Sequence, residues 1–364
     1  MKYRIIRMAA AILAAIPFLS CTAHGISAQK SILMDAQTGR VIYEKLPDSK
    51  SLIASTTKIM TALVVCEQCN VLDRVCITKE AVGIEGSSMY LREGEILTVQ
   101  ELLYGLMLHS GNDAAVALAI YCGGTVEGFV GLMNDKARIL GLKGTHFENP
   151  NGLDSPGHYS TARDLALLSC YAMENPIFAQ TVSTKAVTVG ERRLTNHNKL
   201  LWQLDGADGI KTGYTKAAGR ILVSSAVRQG RRLVAVTINA PNDWADHKDL
   251  HNLGFRNYTV RQLIASGQNL GNVAVISGET DQVALLAAEN FSFALADTES
   301  PEIIISKPEF VYAPVTAGQD AGVAYICIGD TVVGKIPLIY ASEVLQTVDR
   351  KESIWDKLIG GARN

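Results

Sequence analysis

Ser55-Thr56-Thr57-Lys58 sets a hydroxyl and an amine three residues apart. On a helix, positions i and i+3 share a face, so Ser Oγ and Lys Nζ can meet. The chemistry open to such a pair is nucleophilic acyl transfer. A serine hydroxyl attacks poorly at neutral pH and needs an adjacent base. A lysine amine, with a reference pKa of about 10.4, serves only if its cation is disfavoured. Burial in an apolar helix and a second nearby cation both push in that direction. A helix start also brings a backbone N–H and a positive dipole end toward a developing oxyanion. The tetrapeptide says little by itself, because a Ser at a helix start is usually an N-cap. Ser27 and Lys30 repeat the spacing across the end of the expected leader, where it carries no chemistry.

Two further clusters change the weight of the first. Ser110-Gly111-Asn112 lies between two apolar stretches. There a Ser hydroxyl can relay a proton between Lys and a leaving amine, and an Asn amide can bind a substrate carbonyl. A capped helix–helix turn accounts for the same three residues equally well. Lys211-Thr212-Gly213 falls on a strand-like run. Lys211 and Thr212 offer a cation and a hydroxyl, and Gly213 lets a substrate backbone approach the strand edge. Alone it is an ordinary strand end. In this order the three form the S-x-x-K, S-x-N and K-T-G set of active-site serine acyl transferases.

The elements that must position these groups can be read from periodicity. Ser31–Met34 and Arg40–Tyr43 read as strands joined by the turn 35–39. Thr56–Cys66 is apolar almost all round and predicts a helix in the middle of a domain. Thr98 with Glu101 reads as a capping box opening a helix to Leu108. A helix begins at Asp113 and stops at Cys122-Gly123-Gly124. Thr161 with Asp164 reads as a second capping box, heading a helix to Met173. Then the period turns strand-like: Gly209–Thr215, Arg220–Ala226 and Arg232–Ile238 form an antiparallel meander. Helices enclosed by strands from both ends define an α+β domain. Beyond Arg256, short β-type runs (Val273–Ile276, Gln282–Leu286, Glu302–Ile305, Ala321–Ile328, Thr331–Ile336) predict a small all-β domain.

With those elements in place the chain resembles a low-molecular-mass penicillin-binding protein of the serine D-alanyl-D-alanine carboxypeptidase type. The resemblance also rests on Gly86-Ser87-Ser88-Met89, Asn149-Pro150-Asn151-Gly152-Leu153-Asp154 and Asp208-Gly209-Ile210. Ala218-Gly219-Arg220, Ala240-Pro241-Asn242-Asp243-Trp244 and Asp246-His247 look most like carboxypeptidases of spore-forming Gram-positive bacteria. It implies a penicillin-binding/β-lactamase-like fold and removal of the terminal D-Ala from peptidoglycan pentapeptide stems. β-Lactam antibiotics would acylate the enzyme covalently. By position it implies Ser55 as nucleophile, Lys58 as general base, and Ser110 with Lys211 as the proton and charge network. Asn112 would meet the substrate carbonyl, and the backbone N–H groups of Ser55 and Tyr214 would form the oxyanion hole. Thr212 and Thr215 would hold the substrate carboxylate. Some family members carry an Arg near the position of Asp243 for that carboxylate, so here the clamp falls to another residue, with Arg220 the candidate.

The whole chain sets the outer limits. At 364 residues, with 48% hydrophobic and 19% charged residues, it has material for two cores. A net charge of −2 without a basic stripe argues against a nucleic-acid partner. Lys2, Arg4 and Arg7 precede the apolar run Met8–Leu19 and small residues ending in Ile26-Ser27-Ala28, which reads as a secretory leader (residues 1–28) cut after Ala28, with Gly25 nearly as good. Cys21 raises a lipoprotein alternative, but Phe18-Leu19-Ser20 matches that signal poorly. The expected division is a peptidase domain at 29–256, an all-β domain at 257–345 and a tail at 346–364. Ile354, Trp355, Leu358 and Ile359 give the tail one apolar face, suited to a membrane surface or to packing on the β domain. Cys66, Cys122 and Cys170 sit in apolar helical patterns and read as buried free thiols, so no required disulfide is expected. One CxxC (Cys66, Cys69) is too little for zinc, and the chemistry calls for no metal or cofactor.

Three other functions remain open at this level. A serine β-lactamase needs a deacylating base, often in E-x-x-x-N, and Glu148-Asn149-Pro150-Asn151 has its Asn one residue early. A zinc peptidase has only His158 and Asp164 as tempting ligands and no H-E-x-x-H. A non-catalytic peptidoglycan-binding scaffold would keep the fold and stay unlabelled by penicillin.

Overall fold

The computed structural model describes residues 25–347. Most of the expected leader and the expected amphipathic tail therefore lie outside the described residues. The chain divides between Tyr258 and Thr259 into two compact units.

In chain order the first unit runs β1 (Lys30–Asp35), β2 (Val41–Lys45), a 3-10 turn (Ala54–Thr57), α1 (Lys58–Gln68), β3 (Arg74–Cys76) and β4 (Ile96–Thr98). Then come α2 (Val99–Leu108), α3 (Asn112–Gly123), α4 (Val126–Ile139), α5 (Ala162–Ala172), α6 (Pro176–Ser183), β5 (Ala186–Val189) and β6 (Arg192–Thr195). The unit closes with α7 (Leu200–Gln203), β7 (Ala207–Thr215), β8 (Gly219–Arg228), β9 (Arg231–Ile238) and α8 (Asp243–Asn257). Five strands form one antiparallel sheet in the order β2-β1-β9-β8-β7. The expected meander thus joins the N-terminal hairpin through β1 and β9, and the helices lie between them in sequence. That is the α+β arrangement read from the chain.

α1 is the hub of the helical layer. Residues Lys58 to Val65 are all buried, and the helix packs on α2, α3, α4, α5 and α6. An apolar surface on every side requires that central place. The expected helix start at Thr56 is instead a 3-10 turn that becomes α-helical only at Lys58. A 3-10 turn eclipses residues i and i+3, which sets Ser55 directly over Lys58. The Thr98–Glu101 capping box is complete. The Thr161 box is half made: Thr161 Oγ1 accepts from the Asp164 N–H, but the Asp164 carboxylate turns away to Gly144 N and Thr145 Oγ1. Helices α4, α6 and α8 and the hairpins β3–β4 and β5–β6 are additions to the sequence reading. Cys66, Cys122 and Cys170 are free thiols, each half-buried rather than fully enclosed.

The chain at Ile26–Ala28 is built into this unit. Ile26 and Ala28 are buried in a cluster with Leu33, Ile42 and Leu250. The Asp246 carboxylate accepts from Ser27 N, Ser27 Oγ and Ala28 N at 2.9, 2.8 and 3.0 Å. Removing these residues would leave a carboxylate that is 4% exposed without three donors. The mature chain is therefore expected to begin at or before Ile26, and N-terminal sequencing of the exported protein checks this. A first residue of Gln29 would refute it.

Behind the sheet, α8 lays His247 and His251 against β8 and β9. Ser224 Oγ sits 2.6 Å from His247 Nδ1 and 2.7 Å from His251 Nε2, and Thr237 Oγ1 is 2.9 Å from His247 Nε2. Both rings are fully buried, which pulls His247 well below the ordinary imidazole range and His251 down to about 3. The unfolded chain takes up protons on these rings below about pH 6.5, while the folded chain resists until far lower. The contribution of these two rings to stability is thus full above about pH 6.5 and falls as pH drops toward 3, by about 1.4 kcal/mol per pH unit for each ring. Urea titrations from pH 7 to 4 measure this. A Ser224→Ala, His247→Phe, His251→Leu variant should lose about half of the slope, with the buried His158 and His197 rings supplying much of the rest.

The second unit carries β10 (Tyr258–Ile264, whose first residue belongs to the first unit), β11 (Asn269–Ile276), β12 (Gln282–Ala287), β13 (Phe291–Ala296), β14 (Pro301–Ser306), β15 (Phe310–Tyr312), β16 (Asp320–Ile328) and β17 (Thr331–Tyr340). Six strands form a sheet in the order β14-β16-β17-β12-β11-β15, and β10 pairs with β13. Val273, Leu285, Ala324, Ile326 and Leu338 fill its core. It is all-β, as expected, with three more strands than the sequence pattern showed.

Candidate active site

The three clusters meet in one cleft of about 380 Å³ lined by Ser55, Ser110, Thr212, Gly213 and Tyr214, with Ser87, His197, Lys199, Arg220, Ile221, Asp243 and Trp244 around them. Lys58 Nζ lies 3.0 Å from Ser55 Oγ, 2.6 Å from Asn112 Oδ1 and 2.5 Å from the Asn151 carbonyl. All three partners are neutral and the lysine is completely buried. Burial first, and then the charge of Lys211, hold its pKa well below the ordinary lysine value, with Asp113 opposing weakly. A neutral amine has two N–H groups and one lone pair. With the N–H groups on Asn112 and Asn151, the lone pair faces the Ser55 hydroxyl, which then donates. That is the arrangement of a general base.

The turn under Ser55 is held by the Asn149–Asp154 loop. Gly152 has φ +89°, and a Cβ there would overlap the Ala54 carbonyl, so only glycine lets the loop close on the turn. Thr57 Oγ1 lies 2.7 Å from His158 Nε2, while His158 Nδ1 accepts from the Glu148 N–H. Both nitrogens of His158 are therefore occupied in packing the loop, and burial takes the ring down to about 4. Among the described residues no group of three or more His, Cys, Asp or Glu side chains is placed to hold a metal.

Ser110 and Asn112 sit where α2 gives way to α3. Ser110 takes φ +62°, and Asn112 is the first residue of α3. Asn112 Nδ2 donates to the Glu85 carbonyl at 2.6 Å, so its amide orients Lys58 and ties down the 85–88 loop, and one N–H remains for a substrate carbonyl. Asp113 completes that anchoring: its oxygens accept from Ser88 Oγ, Met89 N, Leu91 N and Ala114 N. Opposite, Lys211 Nζ donates to Ser110 Oγ and to the Thr212 carbonyl, each at 3.0 Å. Burial lowers its pKa to about 7.

β7 is the terminal strand of its sheet, which among the described residues leaves one edge without a strand partner. Gly213 works differently from the sequence expectation. A Cβ there would crowd Ile53 O, Ser55 N and Thr56 Cγ2, each at 3.3 Å, so the glycine admits the Ser55 turn rather than a substrate backbone. Thr215 also departs from expectation. Its hydroxyl accepts from Ala218 N and donates to Asp154 Oδ1, and it does not line the cleft. Thr212 does, beside a half-exposed Arg220 whose Nη2 donates to both oxygens of Asp243 at 2.7 and 2.9 Å. The second S-x-x-K pair is not assembled: Ser27 bonds Asp246, and Lys30 reaches Ser51 and the Lys50 carbonyl. His197 and Lys199 went unnoticed in the sequence, because a single His and a single Lys ahead of an apolar run carry no spacing signal. His197 lies 5.2 Å from His109 by ring centroids, and burial, with Lys211 and His109, lowers it to about 4.

A serine on a tight turn over a buried lysine, faced by Ser-x-Asn and by Lys-Thr-Gly on a sheet edge, defines the class: a penicillin-binding-type serine acyl transferase. Residues 19–242 match the D-alanyl-D-alanine carboxypeptidase family (peptidase S11), and the chain belongs to it. Residues 258–346 match the C-terminal domain of penicillin-binding protein 5. A D-alanyl-D-alanine carboxypeptidase of Salmonella typhimurium is 34% identical over 88% of this chain and 87% of its own. One from Bacillus subtilis (DacF) is 32% identical over 85% of this chain and 84% of its own. Among solved structures, penicillin-binding protein 5 of Haemophilus influenzae superposes with a TM-score of 0.79 at 30% identity, covering 89% of this chain and 99% of that one.

Proposed function

We propose that this enzyme removes the terminal D-Ala from peptidoglycan stem peptides ending in D-Ala-D-Ala, through an acyl-Ser55 intermediate. The observation that carries the reading is the fully buried Lys58 amine, bonded only to neutral groups, 3.0 Å from Ser55 Oγ. Neutral Lys58 takes the Ser55 proton as Oγ attacks the carbonyl between the two D-Ala residues. The backbone N–H groups of Ser55 and Tyr214 receive the oxyanion. Ser110, polarised by Lys211, gives its proton to the departing D-Ala amine and is reprotonated by the Lys58 ammonium, which returns that amine to its neutral form. The substrate lies along the open edge of β7, an added strand, with the free N–H of Asn112 on a substrate carbonyl. Its carboxylate rests on the Thr212 hydroxyl and on Arg220, not on Thr215. Water then releases the shortened stem, which limits cross-linking. β-Lactams enter the same course and stop at the acyl stage.

The protein acts outside the cytoplasm, at the cell wall; the basic start and apolar run at the N-terminus support export. Contact of the C-terminal tail with the membrane surface stays part of the proposal. Glu148 gives a β-lactamase reading no support. Its carboxylate accepts from Ser155 Oγ and Gly157 N within its own loop.

The test is mass spectrometry of the full chain with benzylpenicillin, beside D-Ala release from a tripeptide ending in D-Ala-D-Ala. One long-lived adduct on Ser55 together with D-Ala release is the expected result. No adduct would point to a scaffold, and an adduct lost in under a second to a β-lactamase.

A further inference from the structure

The strap between β6 and α7 turns its side chains alternately inward and outward. Asn196, Asn198 and Leu200 are buried, while His197 and Lys199 are exposed and line the cleft. Both asparagines are spent on holding the strap. Asn196 Nδ2 donates to the Val182 and Thr184 carbonyls at 3.1 Å each, and Asn196 Oδ1 accepts from Asn198 N at 2.9 Å. Asn198 Nδ2 donates to the Gly209 carbonyl at 2.7 Å, and its Oδ1 accepts from Leu200 N at 3.1 Å. His197 N donates to the Leu108 carbonyl at 3.2 Å. The strap is thus tied to the chain just before Ser110 on one side and just before Lys211 on the other. Those two residues meet across the cleft at 3.0 Å. Lys199 is presented from that same side.

The cations of the cleft are unequally committed. Arg220 gives Nη2 to both oxygens of Asp243 at 2.7 and 2.9 Å, so its charge is paired. Lys211 is buried and bonded to Ser110 Oγ and the Thr212 carbonyl. The His197 ring, taken down to about 4, is neutral at pH 7 and adds no charge. Among the described residues no hydrogen bond or ion pair engages the Lys199 ammonium.

We propose that Lys199 is a specificity-determining residue whose ammonium receives the free carboxylate of the substrate's terminal D-Ala. This rests on the D-Ala-D-Ala reading above. The amine and the carboxylate of D-Ala share one carbon. A leaving amine that takes its proton from Ser110 therefore brings its carboxylate to the side of the cleft where the strap stands. Arg220 approaches from the other end of β7, opposite Tyr214 in the β7–β8 register. It offers the carboxylate direction through its remaining N–H groups, but Asp243 has already balanced its charge. Lys199 supplies the uncompensated charge. A point charge on a flexible stem also suits an anion that must depart with the product. A stem ending in a carboxamide keeps its bond to Thr212 and loses this attraction.

The experiment gives the full-length protein diacetyl-L-Lys-D-Ala-D-Ala and the same tripeptide ending in a carboxamide. Release of D-Ala or D-alaninamide is followed by mass spectrometry, and a thermal melt reports the fold of each variant. Lys199→Met should cut the carboxylate-over-carboxamide ratio of kcat/KM by about tenfold, through a higher KM for the carboxylate peptide. Lys199→Arg, which keeps the charge, should hold that ratio within about threefold of wild type. An unaltered ratio in Lys199→Met would overturn the proposal. So would an equal loss on both peptides, or a loss carried by kcat alone. Wild-type protein that releases no D-Ala would remove the assigned substrate and this inference together, whereas an active wild type with an unaltered ratio in Lys199→Met removes the inference alone.

Discussion

Lys58→Arg is expected to slow acylation of Ser55 by at least about 10⁴-fold while the chain stays folded. The argument rests on what surrounds the amine. Its partners are a hydroxyl, an amide oxygen and a backbone carbonyl, and none of them can balance a positive charge. Among the described residues, the carboxylate that acts on it, Asp113, has its oxygens committed to Ser88, Met89, Leu91 and Ala114. Complete burial thus meets no compensating anion, and the cation is the unfavourable form. An arginine in this place stays charged at every working pH, so the lone pair that must accept the Ser55 proton is gone. Stopped-flow quenching by penicillin measures the rate, and a thermal melt reports the fold. Because guanidinium is larger than ammonium, Lys58→Met is the companion variant, similar in length and without an amine. It should fail to the same degree, with Ser55→Ala as the adduct-free control. Acylation of either Lys58 variant within tenfold of wild type would remove Lys58 from the role of base.

The residues that meet at the cleft were more legible than the scaffolding that shapes it. Ser55, Lys58, Ser110, Asn112 and Lys211 could be read because acyl transfer restricts residue types and spacing together, and a cluster of polar groups in apolar sequence stands out. The meander β7–β9 and the central helix α1 were legible for a related reason: their burial is complete enough to leave a clean period. What stayed hidden depends on contacts distant in sequence. Asp246 looks like any acidic residue on a helix until Ser27 and Ala28 are seen to donate to it. Gly213 suggested substrate access, yet its Cβ position faces the Ser55 turn. Thr215 follows the motif by one residue beyond Tyr214, but the turn to β8 draws its hydroxyl to Asp154 and Ala218. In the same way Asp164 follows the capping spacing, while its carboxylate finds stronger use on the 144–145 turn. Local pattern announces a residue's type, and tertiary contact decides which of its bonds are made.

The pH profile of acylation should be bell-shaped, and Lys211→Arg should remove its alkaline limb. Lys58 must be neutral to take the Ser55 proton, so the rate rises with pH as that amine loses its charge. Burial first, and then the Lys211 charge, hold its pKa well below that of a free lysine, and this is the rising limb. Lys211 must be charged to polarise Ser110 and to draw the substrate carboxylate, so the rate falls as it deprotonates, near pH 7. The Lys211 charge helps to disfavour the Lys58 cation, while burial lowers Lys211. Arginine at 211 keeps the charge through the whole range. Its falling limb should move beyond about pH 9, while the rising limb persists. Lys211→Ala, which leaves Ser110 Oγ without its donor, should lose about 10²–10³ in rate at every pH. Pre-steady-state acylation from pH 5 to 10 distinguishes these outcomes. A wild-type profile that stays level from pH 6 to 9 would deny Lys211 a role as a cation. So would an alkaline limb that survives unchanged in Lys211→Arg.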